Sequence, residues 1–205
     1  MSPRRFTTSV TVPLKDEGFP SIEERLETTP AAYTVKGMYF ADLEKALRSD
    51  WARITPRLID PPKDGRYVPF RSYPMKDHAL LAYEAAKKQY PSLSMRESLR
   101  RLHRGNMETF LGSTIGSVIK ALISNIKDGY LRCPDAFAQS RSGGTVVARS
   151  IEERAVELVF ANSNPWIDCS DLGTLEGLGL HYGVQVRIEV DLSGPCDGSF
   201  LVRWH

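Results

Sequence analysis

The sequence predicts an α+β domain whose N-terminal helices pack on a C-terminal, mostly antiparallel sheet of about four strands, with a helix between the strand pairs. Apolar residues recur at helical spacing between about residues 36 and 135, and they alternate with polar residues between about 145 and 205. A helical segment near Leu175 separates the strand pairs. Runs of helices followed by runs of strands are typical of the α+β class.

The bulk composition indicates one globular domain that can bury a core without covalent cross-links. The chain has 205 residues, of which 41% are hydrophobic and 25% are charged. The net charge of +2 is too small to indicate nucleic-acid binding. No apolar segment approaches the length of a membrane span, and the basic N-terminus lacks the apolar region of a secretory signal.

Cysteine usage favours a cytoplasmic protein. The three cysteines are far apart and form no C-x-x-C pair, so neither a disulfide framework nor a zinc site is expected.

Residues 1–32 are expected to form a partly ordered N-terminal arm ahead of a single domain at 33–205. Phe6, Thr8, Val10 and Val12 follow the period of a strand, which pairs with the main sheet or stays loose. Residues 15–30 are polar and read as a surface connection with a helical turn.

The helical part starts with an extended stretch from Tyr33 to Gly37 and becomes helical around Phe40. A short helix near Trp51 is cut by Pro56, and four prolines make 59–74 a loop. The next helix begins at Pro74 and ends before Pro91.

Two further helices complete this half. Ser94 and Glu97 form an S-x-x-E capping box that opens the first of them. After Gly105, an apolar stripe predicts a long central helix from about Asn106 to Ile126.

In the sheet part, two strands flank the polar corner "SIEER", and the second runs from Ala155 to Phe160. A short helix carrying Leu172, Leu175 and Leu178 follows. Strict alternation from Val184 to Leu192 predicts a strand with one dry face, and a last strand carries Phe200, Val202 and Trp204.

The segment "AQSRSGG" lies where the helical part gives way to the sheet. Its backbone amides and Arg141 have the chemistry of an anion site, but a phosphate loop needs a lysine and a following helix. A turn is therefore the favoured interpretation. Arg141 and Ser142 act either as a structural clamp, which we favour, or as the polar lip of a pocket.

Gly112 and Gly116 form a G-x-x-x-G pair in the predicted long helix. In a soluble protein this spacing lets a neighbouring element approach closely, and core packing is the favoured interpretation. The alternative is that both glycines form the wall of an apolar ligand pocket.

The densest basic patch is "MRESLRRLHRGN", in which Arg96, Arg100, His103 and Arg104 share one side of a helix. A solvated helix face is the favoured interpretation, because no aromatic residues interleave as in nucleic-acid sites. Contact with an acidic partner or an anionic ligand through Arg100 and Arg104 is the alternative.

The four histidines are widely spaced, and neither H-E-x-x-H nor G-x-S-x-G occurs. His78 lies on an apolar helix face and is expected to be a hydrogen-bonded core histidine. No catalytic residue and no metal ligand is predicted.

Several motifs, in this order, resemble an uncharacterised domain family expanded in myxobacteria. "YTVKGMYF" is similar to its V-K-G-x-x-F opening, and "YPSLSMRESLRRL" to its YP…E-x-x-R segment. Arg141, Ser142 and Gly143 match its R-S-G, whereas Gly144 stands in place of its asparagine. "GTLEGLGLHYG" and the final V-x-W of "SFLVRWH" are similar to its closing segment. The resemblance covers residues 33 to 204.

That family in turn resembles the fold of haem-nitric-oxide/oxygen-binding, V4R and TRAPP-type domains, which implies a pocket between helices and sheet. Haem is not expected, because "LVFANSNPW" has Phe160 and Ser163 but not the Y-x-S-x-R motif that holds haem propionates. Likewise, none of the three cysteines aligns with the acylated cysteine of TRAPP-type domains.

The resemblance implies a non-enzymatic signalling module that binds a small apolar or anionic ligand, or a partner protein, at the helix–sheet cleft. A homodimerisation scaffold without ligand is the first alternative, and an unrecognised enzyme is the second.

Overall fold

The structure is a computed structural model that describes residues 4–63, 65–112, 121, 123–164 and 166–205. Its first half contains β1 (Arg4–Ser9), α1 (Ile22–Thr28), β2 (Thr34–Lys36), α2 (Ala41–Leu47), α3 (Trp51–Ile54), β3 (Ser72–Pro74), α4 (Met75–Gln89) and α5 (Met95–Gly112). Its second half contains α6 (Ile126–Leu131), α7 (Cys133–Ser140), β4 (Arg141–Ser142), β5 (Thr145–Glu152), β6 (Ala155–Ala161), α8 (Leu172–His181), β7 (Val186–Leu192) and β8 (Gly198–Trp204).

The main sheet confirms the predicted α+β class. Its five strands have the order β1-β7-β8-β6-β5, and every neighbouring pair is antiparallel. α8 lies between the two strand pairs in the chain, as predicted. The strand beyond the expected four is β1, in which Arg4 pairs with Leu192 and Ser9 with Arg187. The predicted alternation holds in β7, whose apolar side chains are buried and face the helices.

A small three-stranded sheet of order β3-β2-β4 connects the helical half to the main sheet. Val35 of β2 pairs with Tyr73 on one side and with Arg141 on the other. Because β4 precedes β5 by only two residues, this small sheet fixes where the chain enters the main sheet.

Two apolar cores meet along α5. Leu99 and Leu102 belong to the core that α5 shares with α4, α2 and α1. Leu111 belongs to the core between α8 and the main sheet. The helix therefore contributes to both cores.

The predicted helix boundaries around α5 were wrong. One helix runs continuously through Gly105, where a Cβ would meet open space, so the glycine does not break it. Residues 123–125 are not helical, and the Asn125 side chain accepts a hydrogen bond from the Asp128 amide (3.0 Å) to begin α6. Most of the predicted stretch from 113 to 122, including Gly116, lies outside the described residues.

No helix within the described ranges combines the length and apolar character that crossing a bilayer requires.

Candidate functional site

Arg141 joins three elements at the point where α7 ends. Its Nη1 donates to Asp171 Oδ1 (3.1 Å), and its Nη2 donates to Ser163 Oγ (3.2 Å). The guanidinium also lies over the Phe137 ring, 4.1 Å from its centroid. Only 10% of the side chain is exposed. These contacts are those of a clamp, and a ligand-binding role for Arg141 stays a prediction.

Ser142 attaches the same segment to the helical half. Its Oγ accepts a hydrogen bond from the Thr34 amide (2.9 Å) and lies 2.9 Å from the Thr34 hydroxyl. Gly143 and Gly144 have positive φ angles of 101° and 70°. A Cβ at Gly143 would stand 2.4 Å from the Tyr33 ring, so the turn needs glycine for space as well as for backbone conformation.

The predicted solvated face of α5 was wrong. Arg96 and Arg100 are 0% exposed, and each faces a buried carboxylate of the segment between β6 and β7. Arg100 Nε lies 3.0 and 2.9 Å from the two carboxylate oxygens of Glu176, and Arg104 Nη1 lies 3.3 Å from the same group. Arg100 and Arg104 are thus engaged within the protein, and their predicted ligand contacts stay untested.

Close contact between α5 and α8 makes these ion pairs possible. A Cβ at Gly173 would stand 2.1 Å from the Arg100 carbonyl oxygen, and one at Gly177 would stand 2.6 Å from that of Arg104. Sequence analysis missed this pair, although it has the G-x-x-x-G spacing that was noted at Gly112. Gly112 itself is the last residue of α5.

The same arginines hold the segment Ser9–Glu17, here called the strap, which leads from β1 into the helical half. Arg100 Nη1 donates to the Val12 carbonyl (2.6 Å), and Arg96 Nη1 donates to those of Lys15 (2.7 Å) and Glu17 (3.1 Å). Two backbone amides at the start of α5 donate in turn to the Asp16 carboxylate, at 2.7 and 2.8 Å.

A pair of histidines lies further along α5, where His103 follows Arg96 by seven residues. The rings of His78 on α4 and His103 on α5 have centroids 5.8 Å apart, and Phe40 packs edge-on 5.2 Å from His78. Burial lowers the pKa of His78 to about 3, with further contributions from His103 and Arg141. Burial and Arg141 lower the pKa of His103 to about 4. Both imidazoles are therefore neutral at pH 7.

Aromatic and polar groups surround this pair. Tyr39 stacks on Phe110 at 5.6 Å, and burial raises the pKa of its phenol, opposed by a hydrogen bond with Ser140. His78 and His103 lie deep in the fold, yet each keeps part of its surface accessible to water. We call His78, His103, Tyr39 and Arg141 the imidazole cluster. It stands where α4, α5 and the α7–β4 junction meet.

Neutral imidazoles can accept hydrogen bonds or bind a metal ion through a ring nitrogen. In the part of the chain that the structure describes, however, no three His, Cys, Asp or Glu side chains converge on a common position for a metal ion.

The two imidazoles of the cluster do not fit a haem bound between them. The imidazole rings are tilted by 55° at a centroid distance of 5.8 Å, which leaves no parallel slot for a porphyrin between them. Phe40 covers an edge of His78. The guanidinium of the cluster, that of Arg141, is already paired with Asp171 rather than free for a propionate.

Comparison with solved structures shows the H-NOX fold. An H-NOX protein from S. oneidensis in the Fe(II)NO ligation state is 16% identical with a TM-score of 0.65, over 83% of this chain and 99% of that one. The Fe(II) unliganded H-NOX protein from K. algicida is 11% identical with a TM-score of 0.60, over 83% and 96%. The H-NOX domain of Shewanella oneidensis in the Fe(II)CO state is 15% identical with a TM-score of 0.62, over 83% and 98%.

A search of curated proteins finds no match. Residues 29–205 match the model of the family described as "Protein of unknown function (DUF2378)", and this match covers most of the helical half and four strands of the main sheet. The chain therefore belongs to the DUF2378 family, built on an H-NOX-like fold.

Proposed function

We propose that the protein is a non-enzymatic, cytoplasmic signalling module that binds a small molecule at the imidazole cluster. The observation that carries this proposal is the state of His78 and His103, which are deep in the fold, neutral and still accessible to water. A buried polar side chain normally has its hydrogen-bonding capacity filled. His78 hydrogen-bonds with the Tyr39 backbone, and a site with polar side chains beside aromatic rings has the composition of a ligand pocket.

The position of the cluster supports a regulatory role. His78 and His103 belong to α4 and α5, whereas Arg141 joins the end of α7 to the start of α8 through Asp171. A ligand that contacts both sides would favour one packing of the helical half against the sheet half. The likeness to H-NOX proteins solved in NO and CO ligation states supports this by analogy at the level of the fold.

The ligand is a small apolar or anionic molecule with a group that can hydrogen-bond to an imidazole. Tyr39 and Phe110 provide the stacked apolar wall, and Arg141 provides positive potential at one edge. We further propose that the module works without haem, since the cluster offers neither a slot for the macrocycle nor a free arginine for its carboxylates.

Native mass spectrometry of the purified protein tests the proposal. We expect a discrete adduct, or a saturable thermal shift in a small-molecule screen, that His103→Gln abolishes. His205→Gln is the matched control, because His205 is exposed at the C-terminus. Folded protein that shows neither adduct nor saturable shift would overturn the proposal, and a Soret absorbance after purification or haem reconstitution would overturn its haem-free form.

A protein-interaction module is the second candidate, and the loop between α3 and β3 favours it. Ile59, Val68 and Phe70 are 64%, 55% and 67% exposed, while Asp77 fixes the start of the loop by accepting from two backbone amides. A held loop that presents large apolar side chains is typical of a contact surface. Phe70→Ser should then abolish self-association or partner capture in light scattering and pull-down assays, while leaving the cluster's ligand affinity unchanged.

A further inference from the structure

A group of hydrogen-bond donors beside the strap has no acceptor. Arg4 Nη1, Arg96 Nη2 and Trp166 Nε1 are all buried, and none has a hydrogen-bond partner among the described residues. Arg96 as a residue is 0% exposed and Trp166 is 3% exposed. An unmet buried donor of this kind is costly in a folded protein, and more so when the group is charged.

Their neighbours hold these donors in fixed positions. Arg96 Nε donates to Asp168 Oδ2 (2.9 Å), and Arg25 Nη2 lies 3.4 Å from Asp168 Oδ1. The Arg25 guanidinium sits between the rings of Phe19 and Trp166, 4.2 and 4.4 Å from their centroids. This sandwich is a rigid wall, because both rings and the guanidinium are flat and in contact.

Arg4 reaches the same region from the sheet. Its side chain lies on the inner side of β1, together with Phe6 and the buried Thr8. Burial lowers the pKa of Arg4, and the nearby charge of Arg96 lowers it further, whereas Asp168 and Glu17 oppose this effect. The two guanidinium groups are therefore close enough to repel each other.

Positive charge is concentrated in this region. The buried carboxylate that Arg96 contacts, Asp168, is shared with Arg25, and Arg4 adds a further positive charge nearby. The Glu17 side chain is exposed, so water screens its charge. Buried charges in proteins are normally paired, and an unpaired one is costly.

We propose that Arg4, Arg96 and the Trp166 indole N–H form a binding site for a small anion, an oxyanion such as phosphate or a carboxylate. The unmet groups are all donors, so a metal ion is excluded as their partner and an anion is the complementary ligand. Arginine suits this role because its planar fork matches two oxygens at once. The site lies beside the strap near the start of α5, uses none of the residues of the imidazole cluster, and does not depend on the function proposed there.

The anion would also join β1 to α5, since one ligand would contact Arg4 on the edge strand and Arg96 on the helix. Binding to the folded form alone raises the free energy of unfolding in proportion to the logarithm of the anion concentration. We therefore expect the anion to stabilise the protein as a whole and to protect the β1 amides from hydrogen exchange.

Titration of desalted protein with inorganic phosphate at constant ionic strength tests this site, with acetate and chloride as parallel arms. We expect a saturable rise in melting temperature with phosphate or acetate but not with chloride, which also identifies the chemical class of the anion. Arg4→Gln should weaken this response at least tenfold. Protein that retains its anion through desalting should carry a discrete mass in native mass spectrometry that Arg4→Gln lacks.

Arg5→Gln is the matched control, since it removes the same charge from the outer face of the same strand, where Arg5 is 82% exposed. Trp166→Phe provides a second variant that keeps the ring and removes the N–H donor, and it should weaken binding several-fold. The proposal fails if no anion gives a saturable response and no adduct is found, or if Arg5→Gln and Arg4→Gln lose the response equally. If the anion gives no rise in melting temperature but a ligand still binds at the imidazole cluster, the anion site is rejected and the proposed function is unaffected.

Discussion

Arg100 and Glu176 form an ion pair in which neither side chain has any exposed surface, and the guanidinium Nε lies within hydrogen-bonding distance of both carboxylate oxygens. Arg100 belongs to α5 and Glu176 to α8, so the pair joins these two helices across their contact. A buried charge that loses its partner is far more costly than the pair is beneficial.

Glu176→Leu should destabilise the protein by up to about 3–5 kcal/mol, because it removes the carboxylate that Arg100 shares with Arg104 and leaves Arg100 only Glu97 as a charged partner. The double variant Arg100→Met/Glu176→Leu should recover part of that loss, since it removes the buried pair while Glu97 keeps Arg101 as its partner. Urea unfolding measures both values. Arg132→Gln, which removes an exposed ion pair with Asp128, is the control and should leave the unfolding midpoint unchanged. A double variant no more stable than the single one would contradict this account.

Gly173→Ala should lower stability by about 1–3 kcal/mol, because its methyl group would stand 2.1 Å from the Arg100 carbonyl oxygen and force α5 and α8 apart. Gly105→Ala is the matched control on α5, where the new methyl group meets open space. That change should raise stability by up to about 1 kcal/mol through helix propensity. Thermal unfolding distinguishes the two, and equal effects would show that contact between the helices is not limiting.

Arg141→Ala should destabilise by about 1.5–3 kcal/mol, the usual value of hydrogen bonds to charged groups, because Asp171 loses its partner. It should also raise the pKa of both histidines, since the Arg141 charge lowers them. NMR titration of the imidazole protons measures the second effect. Arg149→Ala, on the exposed side of β5, is the control. Unchanged stability and unchanged histidine pKa values would show that Arg141 does not act as a structural clamp.

Stability should fall in acid because of the histidine pair. Each histidine has an ordinary pKa of 6.5 and a folded-state pKa of about 3 for His78 or about 4 for His103. Below pH 6.5 the unfolded chain therefore binds protons that the folded protein does not. The contribution of the neutral histidines to the free energy of unfolding is complete above pH 6.5. It is lost as the pH falls towards 4, by up to about 1.4 kcal/mol per pH unit for each histidine.

Urea unfolding at pH 7.5 and pH 5 measures this loss. His103→Gln should make the difference between the two pH values smaller, whereas His205→Gln should leave it unchanged, because His205 is exposed. The carboxylates titrate in all three proteins, so they cancel from the comparison. An equal pH dependence in the wild-type protein and the His103 variant would contradict the buried, neutral state.

Much of the fold followed from local patterns. Strict alternation placed the inward-facing residues of β7, and proline placement bounded α4. The helix break expected at Gly105 failed because a single glycine costs a helix only about 1 kcal/mol, which packing on two sides outweighs. The fifth strand required knowledge of which edge the N-terminal segment would join, and that depends on partners more than 180 residues away, as in the pairing of Arg5 with Asp191.

The site was harder to predict for a related reason. Arg96, Arg100 and Arg104 have the same spacing whether their helix face is exposed to solvent or packs against buried carboxylates. The spacing of the arginines alone therefore could not distinguish these cases. The deciding feature is that Gly173 and Gly177 allow α8 to approach so closely that Glu176 is enclosed. Similarly, His78 was expected in the core from its own helix, but its neighbour His103 comes from a different helix.

The strap has a consequence for how this protein can evolve. Arg96 and Arg100 donate hydrogen bonds to backbone carbonyl oxygens of the strap, and every amino acid has such a carbonyl group. Apart from Asp16, which caps α5, and Leu14, whose side chain is buried in the core, the residue types between Ser9 and Glu17 should therefore drift freely. An insertion or deletion there would move every carbonyl out of register with its arginine. In relatives, we expect this segment to vary in sequence and to keep a constant length.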